Sequence, residues 1–230
     1  MQVLVFQHID GEHPAAFAEH AEAAGDVLTV VRWHRGDAVP DFAGFDALLV
    51  MGGPMDVWEV DANTWLPEEI ALIREWVQSG RPYLGICLGH QLLAVAMGGD
   101  CAKMVDPEIG IMDVTHSGDP AFAGLPSPFP AMHWHGVEVS KLPPNTAIIA
   151  QNPNCANQAM KVGANAIGVQ FHPEILAPVI DGWMKDAANR NCAVDWLGSD
   201  AAADQFARDS VAHVTDALAQ SRSLYGWLRH

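Results

Sequence analysis

The chain has 230 residues, 50% of them hydrophobic and 17% charged, enough apolar material for a sizeable core and too little charge for wholesale disorder. Twelve Lys and Arg against 28 Asp and Glu leave a formal charge of −16, a surface that repels phosphate backbones and anionic lipid, so neither nucleic acid nor a membrane is expected as a partner. Four scattered cysteines without CxxC spacing exclude a disulfide framework and a zinc cluster of the finger type.

In chain order, residues 1–6, 26–33, 46–51 and 82–87 are short apolar runs rich in Val, Leu and Ile, which predicts buried strands. Residues 14–24 and 67–79 lie between them with helical spacing, and each stretch opens on a Pro, which a first helical turn tolerates. Residues 88–97 form a third helix, stopped by Gly98 and Gly99. Strand–helix alternation of this kind implies an α/β fold with a doubly wound, mostly parallel sheet. From 100 to 170 the texture changes to short β-type runs at 110–115, 137–140, 147–150, 158–162 and 166–171, read as added strands, partly antiparallel. Helices are expected at 176–188 and 201–224, with 186–200 suited to a flexible connection. The whole, residues 1–230, reads as one domain with a C-terminal helical extension from about 190. There is no basic leader and no apolar run long enough to span a bilayer, so a cytoplasmic location is expected.

The strongest chemical signal is Gly85-Ile86-Cys87-Leu88-Gly89, between an expected strand and an expected helix. It is a G-x-C-x-G form of the nucleophile elbow, in which a tight turn with small neighbours projects the nucleophile from the carboxyl edge of the sheet. The helix that follows aims its positive end at the thiol and favours thiolate. By itself the pattern is equally compatible with a buried structural cysteine. His172 follows another apolar run, with Glu174 two residues on, so an imidazole base and a carboxylate that orients it are both at hand. Pro173 restrains the turn between them. Met51-Gly52-Gly53-Pro54 also follows a strand. Gly53 can present its backbone N–H as one half of an oxyanion hole, with the N–H of Leu88 as the other half. The bland alternative is a plain Gly-Pro loop.

Taken in order, Gly52-Gly53-Pro54-Met55, Leu84 to Gln91 and Gly168 to Glu174 resemble the three signature segments of class I glutamine amidotransferases. The free-standing branch similar to the glutaminase domain of GMP synthase is the nearer likeness. Pro107 to Gly110, Phe122 to Leu125, His133 to Gly136 and Asn157-Gln158 support it, and the match runs from about residue 1 to about 185. The resemblance implies a flavodoxin-like sheet and a Cys87–His172–Glu174 triad that cleaves the glutamine side-chain amide through a thioester. It implies oxyanion donors at Gly53 and Leu88, and a substrate pocket lined by Gln91, His135 and Gly136. No metal and no organic cofactor are implied. The partners are a small-molecule γ-glutamyl substrate and, because no synthetase domain is visible, a separate synthetase chain that uses the ammonia.

Some positions depart from the pattern. Val137 stands where relatives commonly have Asp, leaving Glu138 or Asp56 to hold the substrate ammonium, and His90 is expected to reshape the pocket rim. Asp56, Glu59 and Asp61 form a solvated loop beside the oxyanion glycines, placed for a role at the entrance. His133, His135 and His172 suggest a metal cluster only weakly, since no carboxylate or Cys lies at a familiar ligand spacing. Of the Trp residues, Trp33, Trp58, Trp65, Trp76 and Trp183 read as core and Trp134 as a candidate for the site. Two other readings stand beside the glutaminase: a γ-glutamyl peptidase or hydrolase acting on peptides or amines, and a non-catalytic binding module on the same fold.

Overall fold

The computed structural model describes all residues, 1–230. Nine strands form one sheet in the order β2-β1-β3-β4-β9-β8-β7-β5-β6. The first half is parallel: β1 (Gln2–Gln7) lies between β2 (Val27–Arg32) and β3 (Ala47–Val50), and β4 (Tyr83–Ile86) and β9 (Ala166–Val169) follow. Residues 3–6 of β1 and all of β3, β4 and β9 are buried, as helices on both faces of a parallel sheet require. Helices α1 (Ala16–Ala24), α2 (Leu66–Gln78) and α3 (Leu88–Ala96) make the crossovers.

The second half is antiparallel: β8 (Ala159–Val162), β7 (Thr146–Gln151), β5 (Asp100–His116) and β6 (Phe129–Lys141). β5 and β6 are much longer than the expected strands at 110–115 and 137–140. A register shift between Lys103 and Glu108 breaks the ladder, and this bulge hides the continuity of β5 in the sequence. The His133-Trp134-His135 segment lies inside β6, outside the strands expected from the sequence.

The C-terminal region carries a second correction. Residues 186–200 are not a connection but helix α5 (Ala187–Leu197), following α4 (Ala177–Lys185). The Asp186 carboxylate caps α5 by accepting from the N–H groups of Ala188 and Asn189, both at 3.0 Å, and Gly198 at φ +85° ends it. The single helix expected at 201–224 is two, α6 (Asp200–Ala212) and α7 (Val214–Leu228), which break at His213. These helices are built in: Ile109 and Met132 of the ribbon share one apolar cluster with Ile175, Trp183, Ala193, Phe206 and Ala217. No helix is long and apolar enough to cross a membrane.

Candidate active site

The carboxyl ends of β1, β3, β4 and β9 converge on one edge of the sheet, where open α/β folds place ligands. Cys87 stands at the end of β4 with φ +49° and ψ −100°, a positive-φ conformation that a non-glycine residue adopts only when its surroundings impose it. The turn is tight enough that a Cβ on Gly85 would lie 2.5 Å from the Gly89 carbonyl carbon. A Cβ on Gly89 would in turn run into the Val50 carbonyl oxygen, so neither flanking position has room for a side chain. The Cys87 N–H donates to the Val169 carbonyl at 2.8 Å, tying the elbow to β9.

β9 leads directly into the candidate base, His172. His172 is buried, its ring Nδ1 lies 2.8 Å from Glu174 Oε1, and its backbone N–H donates to the Met132 carbonyl at 2.8 Å, so ribbon and sheet hold the turn together. Burial alone would lower the proton affinity of His172, but Glu174 and Cys87 beside it raise the pKa well above the usual imidazole value. The imidazole therefore holds its proton between the Cys87 sulfur and the Glu174 carboxylate. Trp183 meets the ring edge-on, with centroids 5.3 Å apart. By contrast, burial pushes the thiols of Cys101 and Cys155 up to about 12, which makes them inert.

A cavity of about 560 Å³ opens over Cys87 and His172. Gly53, Gln91, His135 and Gly136, all expected at the site, line it. Gln91 is turned into the protein, donating to the Val137 carbonyl and to Gln170 Oε1, both at 3.2 Å. Gln170 in turn points its Nε2 at Cys87 Sγ, 3.6 Å away. Of the acids proposed to replace Asp at position 137, Asp56 lines the cavity and lies 3.7 Å from Lys103 Nζ. Trp134 is on the wall, as expected, and so is Trp183, which had read as core. His90 is a correction: it is fully buried against Gly168 with both ring nitrogens unpartnered, and it does not reach the rim. Burial pushes its pKa down to about 4, so it is neutral.

Three features were missed in the sequence. The outer wall is α5, which contributes Ala188, Asn189, Cys192 and Trp196. The indole of Trp196 lies on Gly136, where an added Cβ would be 3.0 Å from Cη2. Glu12, in the β1–α1 loop, also lines the cavity, with its Oε2 shut away and unpartnered near His172. Burial, together with the Glu174 charge, outweighs the two nearby histidines and raises Glu12 to about 7. A lone loop glutamate gives no signal in sequence, because burial alone makes it unusual. The third feature is Glu108, which the bulge in β5 brings to His133 and His135, so that one donor atom from each lies within 4.8 Å of the others. A carboxylate is thus present after all, far outside any ligand spacing. Its oxygens are already engaged: Oε1 accepts from Asn152 at 2.7 Å, and Oε2 from His135 at 2.8 Å and Gln158 at 2.5 Å. The cluster is closed to solvent, and Glu108 and the Val137 carbonyl fix the His135 ring from both of its nitrogens.

Residues 16–181 match the family model described as glutamine amidotransferase class-I, and the chain belongs to this family. It is 33% identical over 184 residues to a glutamine-hydrolyzing GMP synthase of Thermomicrobium roseum, covering 77% of this chain. The aligned part is only 32% of that longer protein. A glutamine amidotransferase-like protein of Salmonella typhimurium, YfeJ, is 30% identical over 190 residues, 79% of each chain. Among solved structures, a glutamine amidotransferase of Thermotoga maritima superposes with a TM-score of 0.90 at 23% identity, covering 100% of this chain and 99% of that one. A glutamine amidotransferase of Methylobacillus flagellatus gives 0.86 at 28%, covering 99% and 94%.

Proposed function

We propose that this chain hydrolyses a γ-glutamyl amide through a Cys87 thioester, with glutamine as the first substrate to test. The observation that carries the reading is the Cys87–His172–Glu174 arrangement: a cysteine on a strained elbow, a protonated imidazole beside it and a carboxylate 2.8 Å from Nδ1. Cys87 Sγ attacks the amide carbon, and the oxyanion forms at the N–H groups of Gly53 and Leu88. The tetrahedral adduct collapses as His172 gives its proton to the departing nitrogen, which leaves as ammonia and a thioester remains. Water then attacks the thioester carbon and yields its proton to His172, and glutamate leaves as Cys87 is restored. Glu174 holds the imidazole in the required orientation.

A separate synthetase chain is the partner to which the ammonia would pass. A glutamine-hydrolyzing GMP synthase component of Ignicoccus hospitalis, 36% identical over 143 residues, supports this because it is named as one subunit rather than as the whole enzyme. A second reading, a γ-glutamyl peptidase, is favoured by the cavity. About 560 Å³ walled by Trp134, Trp183 and Trp196 falls among pockets that hold drug-sized ligands, roughly 300–1,000 Å³, and exceeds what one amino acid fills. The test is to incubate the protein with glutamine, γ-glutamyl peptides and a glutamine-like electrophile, measuring ammonia, glutamate and protein mass. Turnover of glutamine with single labelling at Cys87 is expected. Turnover of peptides alone selects the peptidase, and neither turnover nor labelling sinks both.

A further inference from the structure

The N–H half of the oxyanion hole at Gly53 is useful only if the Gly52–Gly53 peptide faces one way. This peptide has no Cβ on either side, and glycine backbones turn over at little steric cost. Its orientation therefore needs a cause, and the cause lies beneath the site at the end of β1. His8 is fully buried, and its Nδ1 lies 2.7 Å from the Gly52 carbonyl oxygen. Its Nε2 lies 2.9 Å from Oε1 of Glu69 on α2, which is also fully buried. Trp65 stacks on the ring, with centroids 5.5 Å apart at 17°. A backbone carbonyl can only accept, so Nδ1 carries a proton and donates it to Gly52.

In a trans peptide the N–H points opposite to the carbonyl. With the Gly52 carbonyl held down to His8, which does not line the cavity, the Gly53 N–H points up, and Gly53 does line it. The Gly53 N–H donates to no backbone or side-chain acceptor of the protein, as an amide reserved for a ligand would. The mechanism above does not use the buried His8–Glu69 pair, and its desolvation is costly unless it holds something in place.

We propose that His8, anchored by Glu69, is a positioning residue that locks the Gly52–Gly53 peptide with its N–H toward the cavity and so keeps the oxyanion hole formed before substrate arrives. This rests on Gly53 as the oxyanion donor in the proposed reaction. Replacing His8 by Phe keeps the ring and removes both donors. Loss of one oxyanion donor lowers kcat by roughly 10²–10³-fold in other hydrolases, and a fall of about 10²-fold is expected here with KM within about twofold. Affinity for an aldehyde analogue of glutamine, whose Cys87 adduct carries the oxyanion, falls in proportion. Alkylation of Cys87 by iodoacetamide, which builds no oxyanion, stays within about twofold. Glu69→Gln, whose amide can donate to Nε2 while Nδ1–H still donates to Gly52, keeps kcat above that of His8→Phe.

Because His8→Phe strands Glu69, His8→Phe/Glu69→Leu provides a folded comparison without a buried unpaired charge, and its crystal structure shows the peptide directly. A rotated or doubly populated Gly52 carbonyl is the expected result. A carbonyl that keeps its direction, a kcat that does not change, or alkylation that declines together with kcat overturns the proposal. If the wild-type protein turns over no γ-glutamyl compound, the proposed function fails, whereas the carbonyl direction in those crystals still decides the clamp.

Discussion

The parallel and antiparallel halves of the sheet differ in what they give to the site. The parallel half supplies the elements set by short-range backbone geometry: the Cys87 elbow after β4, the glycines after β3 and the His172–Glu174 turn after β9. The antiparallel ribbon and α5 supply the walls, with Trp134, His135 and Gly136 on β6 and Trp196 on α5. The proposed chemistry thus draws on the parallel half and the proposed selectivity on the ribbon and α5, and each proposal can be broken separately.

Cys87→Ala is the most severe test of the parallel half. Loss of a nucleophile in a Ser-based triad costs about 10⁶-fold, and a fall to background in single-turnover glutamate release is expected. Retained turnover would remove Cys87 from the chemistry. Replacing any of Cys101, Cys155 or Cys192 by Ser should leave that rate standing. Glu174→Gln comes next, with a loss on the order of 10⁴-fold in kcat, as found where the orienting carboxylate alone is removed. A loss below about tenfold would mean that the ribbon contact through Met132 orients His172 unaided.

Glu12 lines the cavity beside His172, and its effect is on stability. Its carboxyl is raised from the usual 4.5 to about 7, so the fold favours the protonated form. Its contribution is full below the unfolded pKa and is lost as pH rises to about 7. Glu12→Gln should therefore recover, between pH 5 and pH 8, up to about 3 kcal/mol relative to wild type in urea denaturation. Parallel pH dependences for the two proteins would show that the carboxylate is solvated. The smallest effect is expected at the wall. Trp196→Ala should raise KM for a γ-glutamyl peptide about tenfold, with kcat unchanged, and alter KM for glutamine less. Equal effects on both substrates would place Trp196 outside selectivity.

The legibility of the molecule in its sequence follows the same division. The parallel strands and the first three helices lie within a few residues of expectation, because apolar runs and Pro or Gly boundaries are local signals. The ribbon is only half legible: the bulge after Lys103 interrupts alternation, and His133 and His135 are polar residues on a buried face, so the apolar–polar alternation that marks a strand is lost there. Helix α5 was missed because only Ala193 of it is buried, so it shows no apolar stripe.

The sequence alone determined the strand–elbow–helix at Cys87, the His-Pro-Glu turn and the Gly-Gly loop, since each rests on what a few adjacent residues can do sterically. Only the tertiary structure decided which distant groups face them. It buried Glu12 beside His172, closed the cavity with Trp196, joined Glu108 to His135 and set His8 beneath Gly52. The hydrogen-bonded pairs span 27 to 61 residues of chain and Glu12 meets His172 across 160; such meetings are properties of packing, and no local pattern carries them.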